Sequence, residues 1–376
     1  MAYFLLGVLT TPCYGRPPLY EPRLALDLAR YARYLTHKGH TTEQSLAAQQ
    51  SLEAQQSLEV ILFTPADVDI EKGFIQGWML TDDRFKRARR PLPDVLYDRY
   101  VPCTAHPVSD EVLRCVRSGV QYRLNRGLPD KWQQYLTLKK AGLEAILPEQ
   151  KLYLDDDDIR SWPEPEFILK PLHGAFGRGV IRVRKKPPYR IHGRDGRGNI
   201  ITLDPSDART LLSLLAPYRG KSLLQQYLDI SDADGVPYDL RLFLQKSPER
   251  THPPRFRLLG RAVRQGRPGG LIANLSGGGK AHPVHHLPPY LKDVDPRPLI
   301  HSIKALATRI AELFGQTFPP QLEMGLDLAV DKGGAVYFLE ANARPGRGIL
   351  LATDLPAYRQ SIAGVVMNAL TINKHT

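Results

Sequence analysis

The sequence predicts a mixed α/β and α+β protein: an open α/β sheet first, then strand pairs joined by glycine turns. Three observations lead there. Residues 1–120 run strand–helix–strand, with short apolar strands. From residue 166 onward, strand-like runs alternate with glycine-rich turns, as in FILKPLHGAFGRGVIRV (167–183). The stretch EMGLDLAVDKGGAVYFLEANARPG (323–346) reads as two apolar strands around a Lys332-Gly333-Gly334 turn, with acids set among apolar residues. A chain of 376 residues is expected to form two or three domains.

Taken in order, residues 3–10 form a buried first strand and residues 11–22 a proline-rich loop. Apolar residues at helical spacing over 24–35 give the first helix, ending near Gly39. Residues 60–64 and 95–100 are the next strands. Ser109 caps a helix over 110–118, with Glu111 in its first turn. No GxGxxG occurs in this part, which excludes a dinucleotide fingerprint. A six-residue repeat (QSLAAQ, QSLEAQ, QSLE) fills 44–59; its leucines drift around a helix and make no seam. It reads as a duplication lengthening a helix or loop. Asp130-Lys131-Trp132 opens a helix to residue 140, and the acidic, proline-rich stretch 153–165 reads as a solvated connector. Strands follow at 167–171 and 180–183, with a hairpin at 187–205 turning at Asp195-Gly196. A helix over 205–215, a strand over 223–228, and long paired strands over 239–245 and 256–263 come next. Helices over 298–314 and 356–370 complete the chain.

Apolar content of 42% is enough for a real core. The net charge of +12 attracts polyanions, although a solvated basic surface needs no partner. No RNA-binding signature or Cys/His finger is present, so nucleic acid is not expected. Cys13, Cys103 and Cys115 make no CxxC pair and have no zinc spacing, which suits a reducing compartment. No run reaches about 18 apolar residues, and the apolar start has no basic lead. A soluble, cytoplasmic protein is expected.

The chemistry concentrates in a few places. A period of 2 puts Glu340 and Asn342 on one strand face, with Asp327 able to lie beside them. Two carboxylates and an amide oxygen make a hard-oxygen site suited to Mg²⁺, and such a site usually takes phosphate oxygens as well; solvated acids at a strand end are the plainer alternative. Lys170 lies in an apolar strand and wants an anionic partner. Gly174, Gly177 and Gly179 sit between two strands, which excludes a P-loop and allows a glycine turn over a triphosphate or an ordinary hairpin. Asp239 and Arg241 share a strand face, so Arg241 either holds a phosphate or carboxylate or pairs with Asp239. NLSGGG (274–279) is a second glycine loop.

The order of these elements resembles the ATP-grasp superfamily over about residues 126–350. LPDVLYDRY, PDKW, FILKPLHGAFGRGVIRV, YDLRLFLQK and LEANARPGRG look most like the YheC/YheD-type endospore coat-associated ATP-grasp proteins. RimK-like glutamate ligases share the NLxxGG and ExN elements. The resemblance implies a pre-ATP-grasp α/β domain over 1–125, then two α+β subdomains over 126–228 and 229–376 sandwiching ATP. It further implies that Lys131 and Lys170 meet phosphates, and that Gly174, Gly177, Arg178 and Gly179 form a lid. Gln225, Gln226, Tyr227 and Leu228 would read the adenine edge, with Asp239 near the ribose. Arg241, Arg264 and Asn274 would act on the phosphate and intermediate, while Asp327, Glu340 and Asn342 hold Mg²⁺. Arg344 stands where the spore-coat relatives often have lysine, and NLSGGG lacks the basic residue often found before its last glycines. The implied activity is ADP-forming carboxylate–amine ligation on small-molecule or peptide substrates. Segments 10–17 and 99–107 are candidate lining for the acceptor cleft. A small-molecule kinase and a non-catalytic spore coat component are the alternatives.

Overall fold

The computed structural model describes residues 3–12, 21–38, 57–102, 108–174, 176–249, 251–287, 291 and 294–373. Most of the repeat at 44–59 and parts of both candidate cleft segments lie outside the described residues, as do Cys13 and Cys103. The last repeat unit ends in a strand rather than a helix, because residues 57–59 open β2.

The first sheet contains β1 (Tyr3–Leu9), β2 (Ser57–Phe63), β3 (Val68–Asp69), β4 (Phe74–Thr81), β5 (Arg84–Pro91), β6 (Val95–Asp98) and β7 (Tyr122–Arg123). Its order is β3-β4-β2-β1-β6-β7, with β5 paired to β4. The β2-β1-β6-β7 part is parallel and the β3–β5 part antiparallel, so the expected open α/β sheet carries an unexpected hairpin over 74–91. β1 is apolar throughout because both its faces are covered. Phe4, Leu6 and Val8 pack with the helices Pro22–Lys38 and Leu355–Asn373, and Leu5 and Leu9 pack with the helix Asp110–Ser118. That last helix is capped by Ser109, as its sequence requires.

The second sheet is antiparallel, in the order β12-β11-β10-β9-β13-β8. Its strands are β8 (Gln150–Leu152), β9 (Glu166–Pro171), β10 (Ile181–Arg184), β11 (Arg190–Arg194), β12 (Ile200–Leu203) and β13 (Ser222–Gln226). The acidic stretch before β9 is not a connector. Asp155 accepts from the backbone N–H of Asp157 and Asp158, and residues Asp156–Ser161 form a helix. Acids are favourable at a helix N-terminus, which offsets their mutual repulsion. Phe167 and Leu169 face the core under this sheet, so Ile168 and Lys170 face the other way.

The third sheet, in the order β16-β15-β14-β17-β18, is also antiparallel. It consists of β14 (Tyr238–Lys246), β15 (Phe256–Gln265), β16 (Lys280–Pro283), β17 (Glu323–Val330) and β18 (Val336–Asn342). Every residue of β17 is buried. Met324, Leu326, Leu328 and Val330 pack on the amphipathic helix Pro296–Thr317. Glu323 and Asp327 take the opposite parity.

Glu323, with no exposed surface, joins this sheet to the first. Its carboxylate accepts from Tyr97 Oη (2.6 Å), Arg99 Nη1 (2.8 Å) and Arg347 Nη2 (2.7 Å). Burial pushes the Tyr97 hydroxyl well up, so it stays a donor to Glu323. Arg99 continues to Glu21 (2.7 Å) and to the Pro345 carbonyl (3.1 Å). The segment after Asn342 is thereby fixed to the first sheet.

Candidate active site

One face of the third sheet carries a row of charge across four strands. Asp239 stands opposite Arg264, Arg241 opposite Asp327, and Asp327 opposite Glu340; Asn342 follows Glu340 on the same side. Asp239 and Arg241 do not pair along their own strand. Both pair across it. Arg264 forks onto Asp239 through two 2.6 Å bonds, and its Nη2 lies 3.0 Å from Asp327 Oδ2. Arg241 forks onto Asp327 through Nε to Oδ1 and Nη2 to Oδ2, the latter at 2.8 Å. Asp239, Arg264 and Asp327 are 6%, 4% and 3% exposed, and ions persist there only when paired. Burial pushes the Asp239 carboxyl up, with Arg264 opposing. Burial also acts upward on Asp327, but Arg241 and Arg264 outweigh it and hold that carboxyl low.

β18 carries a bulge beside this row. Asp327 faces Glu340 while Leu328 faces Phe338, so Leu339 stands outside the ladder. Its carbonyl accepts from Lys170 Nζ at 3.2 Å, and Lys170 also donates to Gln225 Oε1. The anionic partner expected from the sequence is not what this lysine touches; it has two neutral oxygens. Burial, aided by Lys131 and opposed by Glu340, pulls its ammonium down to about 7.

Lys131 opens the helix Lys131–Lys140, capped by Asp130, and its Nζ lies 3.4 Å from Glu340 Oε2. One turn on, Gln134 extends the edge of β18. Its amide donates to the Ala341 carbonyl (3.2 Å) and accepts from the Ala341 N–H (2.9 Å). Sequence reasoning missed Gln134; its i+3 spacing from Lys131 was the available signal. It also missed Arg182 on β10, whose guanidinium lies 3.8 Å over the Tyr227 ring.

Between the second and third sheets lies a cavity of about 400 Å³. Lys170, Arg182 and Gln225 line it from one sheet, and Asp239, Arg264, Asp327 and Glu340 from the other. Lys131, Gly174, Gly177, Arg178, Tyr227, Leu228 and Asn274 close its sides. A second cleft of about 1240 Å³ adjoins it, sharing Lys131, Arg178, Arg264 and Glu340 and reaching residues 100–102, which follow β6. Arg241 and Asn342 line this larger cleft and not the cavity. Arg344 lines it too, but binds the Asp98 carboxylate at 2.6 Å.

Two expected site residues line neither space. β13 ends at Gln226, earlier than expected, and strand parity turns this residue away from Gln225; its amide oxygen accepts from Glu149 N at 3.2 Å. Gly179 has φ +73°, and a Cβ there would lie 2.7 Å from Pro171 Cγ, so its role is to let the turn close. The two glycine loops meet: a Cβ on Gly177 would lie 2.3 Å from Ile272 Cδ1 and 3.0 Å from Asn274 Nδ2. NLSGGG receives its cations from elsewhere, since Arg194 donates to the Gly277 carbonyl at 3.2 Å and the Arg267 guanidinium lies against Gly278.

Asn342 Nδ2 donates to Glu340 Oε1 at 3.2 Å, so these two side chains are adjacent. With Asp327 they offer hard oxygens, which fits Mg²⁺. Among the described residues no group of three His, Cys, Asp or Glu side chains could hold a metal ion. The set has two carboxylates and one amide; two guanidiniums, Arg241 and Arg264, hold Asp327, and the Lys131 ammonium lies 3.4 Å from Glu340.

The family described as YheC/D like ATP-grasp matches residues 122–371. The chain belongs to this family. It is 28% identical over 310 residues to the endospore coat-associated protein YheC of Bacillus subtilis (strain 168), covering 77% of this chain and 82% of that one. It is 24% identical over 307 residues to YheD of the same organism, covering 78% of this chain and 66% of YheD. Among solved structures, D-alanyl-alanine synthetase A from Vibrio cholerae O1 biovar eltor superposes with TM-score 0.52 at 11% identity, over 99% of this chain and 98% of that one. The VanG D-Ala:D-Ser ligase from Enterococcus faecalis gives 0.51 at 10% identity, over the whole of both. The fold is therefore the ATP-grasp fold. Among the described residues no helix is long and apolar enough to cross a membrane.

Proposed function

We propose that this protein is an ATP-dependent, ADP-forming carboxylate–amine ligase working through an acyl phosphate. The observation that carries the reading is the cavity between two antiparallel sheets, where Lys131 and Lys170 face Asp327 and Glu340. Its volume is in the range of small-molecule sites. The family match supports ATP as the nucleotide.

In this reading Lys131, Lys170 and Arg264 neutralise phosphate charge, with Asp239 holding Arg264 in place. Gly174, Gly177 and Arg178 cover the phosphates and exclude water from the acyl phosphate. Gln225, Tyr227 and Leu228 meet the base. Bound at Asp327, Glu340 and Asn342, Mg²⁺ would supply charge neutralisation and alignment of the phosphates. The acid's carboxylate attacks the γ-phosphorus and ADP leaves; the amine then attacks the acyl carbon and releases phosphate. Positioning and charge suffice for this chemistry without a protein nucleophile. The larger cleft would take the acid and amine, an amino acid or an acidic peptide. The division near residues 125 and 228, an intracellular location and association with a spore coat belong to the same reading, the last drawn from the relatives' names.

A hydroxylamine trap tests it, run with Mg·ATP against amino acids and short acidic peptides. The expected result is hydroxamate and ADP in equal amounts with at least one acid. A stable phosphorylated product with no use for an amine selects a kinase instead. No thermal shift with Mg·ATP leaves only a coat component.

A further inference from the structure

Arg241 was expected to touch phosphate or carboxylate, yet it does not line the inter-sheet cavity. It binds Asp327, the carboxylate that the metal reading needs. Both oxygens of Asp327 are held: Oδ1 by Arg241 Nε, Oδ2 by Arg241 Nη2 at 2.8 Å and Arg264 Nη2 at 3.0 Å. The two arginines are not equivalent. Arg264 has a second carboxylate, Asp239, through two 2.6 Å bonds, and its side chain is 4% exposed. Arg241 is 14% exposed, and among the described residues Asp327 is its one ion-pair partner within 4 Å. It stands at the edge of the larger cleft, in contact distance of Gly325.

We propose that Arg241 is a displaceable counter-ion for Asp327: a divalent cation taking up Asp327 releases the guanidinium into the larger cleft, where it meets the carboxylate of the acid to be activated. This rests on the proposed metal–nucleotide site. A buried carboxylate needs a compensating cation, and a dication replaces the guanidinium in that role. The released guanidinium then needs an anion, and a carboxylate matches its fork. The metal nucleotide therefore binds before the acid.

The test is calorimetric titration of the full chain with ADP at graded Mg²⁺, for wild type, Arg241→Ala and Arg241→Lys. Removing the competitor lowers the half-saturating Mg²⁺ concentration, by at least about tenfold in Arg241→Ala, the lower end for losing charge-assisted bonds to Asp327. Arg241→Lys shifts it less, in the same direction, and ADP binding in EDTA is unchanged in both. An unchanged or raised Mg²⁺ requirement overturns the proposal, as does weaker ADP binding in EDTA, which marks a direct phosphate contact. Should Arg241→Ala not fold, Arg241→Lys and the Nε–H resonance of Arg241 in the wild type remain. That resonance shifts and loses exchange protection on adding Mg·ADP, and an unmoved resonance overturns the proposal. Failure of ADP to bind wild type at any Mg²⁺ concentration overturns the ligase reading as well, which separates the two failures.

Discussion

Lys170 should make nucleotide binding take up a proton. Its ammonium is pulled down to about 7, chiefly by burial, against an ordinary value of 10.5. At pH 8 such a group is about 0.1 protonated by simple titration, and phosphates brought against it restore the ordinary range. Mg·ADP binding should therefore take up about 0.9 proton at pH 8, and only about 0.1 at pH 6. The assay is calorimetry in buffers of different ionisation enthalpy at one pH, where the slope of observed enthalpy gives the proton count. Lys170→Met should remove the slope. The same group sets a stability trend. A lysine whose folded pKa lies below its unfolded one leaves the unfolded chain with more protons between about pH 7 and 10.5, so stability rises with pH in that window. The gap corresponds to roughly 5 kcal/mol at full effect, reached below pH 7. Lys170→Met should be the more stable protein at pH 7, by an advantage that shrinks toward pH 10. A wild-type slope near zero at pH 8, or a variant less stable at pH 7, would refute the electrostatic reasoning.

Glu340→Gln should lower ADP formation about a thousandfold with the fold intact by circular dichroism, since a lost metal ligand removes on the order of 4 kcal/mol of transition-state stabilisation; near-normal turnover would break the metal assignment. Glu323→Gln removes the charge shared by Arg99 and Arg347, both buried, and should cost about 3–5 kcal/mol in urea unfolding. A loss under about 1 kcal/mol would show that the joint between the sheets lies elsewhere. Gln134→Leu leaves the Ala341 N–H and carbonyl without their partner, which should cost about 1–3 kcal/mol and reduce turnover through the displaced Glu340. Unchanged turnover would separate that edge from the site.

The hairpin nature of 323–346 was legible because strand periodicity and a Lys-Gly-Gly turn determine it together, and the register then brings Asp327 to Glu340. Helix starts at Ser109 and Asp130 were legible because capping is local. β5 was not, because RFKRARRP lacks apolar alternation; its arginines lie over apolar rings instead, Arg87 over Trp78 and Arg89 over Phe74. Asp155–Asp158 could be read as repulsion or as capping, and only the fold decides. Which arginine pairs with which aspartate depends on the β14–β17 register, set by residues 86 apart in sequence. The parity that separates Gln225 from Gln226 follows from where β13 sits in its sheet, a tertiary fact.

Manganese paramagnetic resonance in the presence of ADP bears most directly on the site. Wild-type protein should retain Mn²⁺ only when ADP is present, and Glu340→Gln should lose the bound Mn²⁺ signal while keeping its fold. Nucleotide binding indifferent to the divalent ion and to Glu340 would contradict a metal nucleotide docked on the charged face of the third sheet.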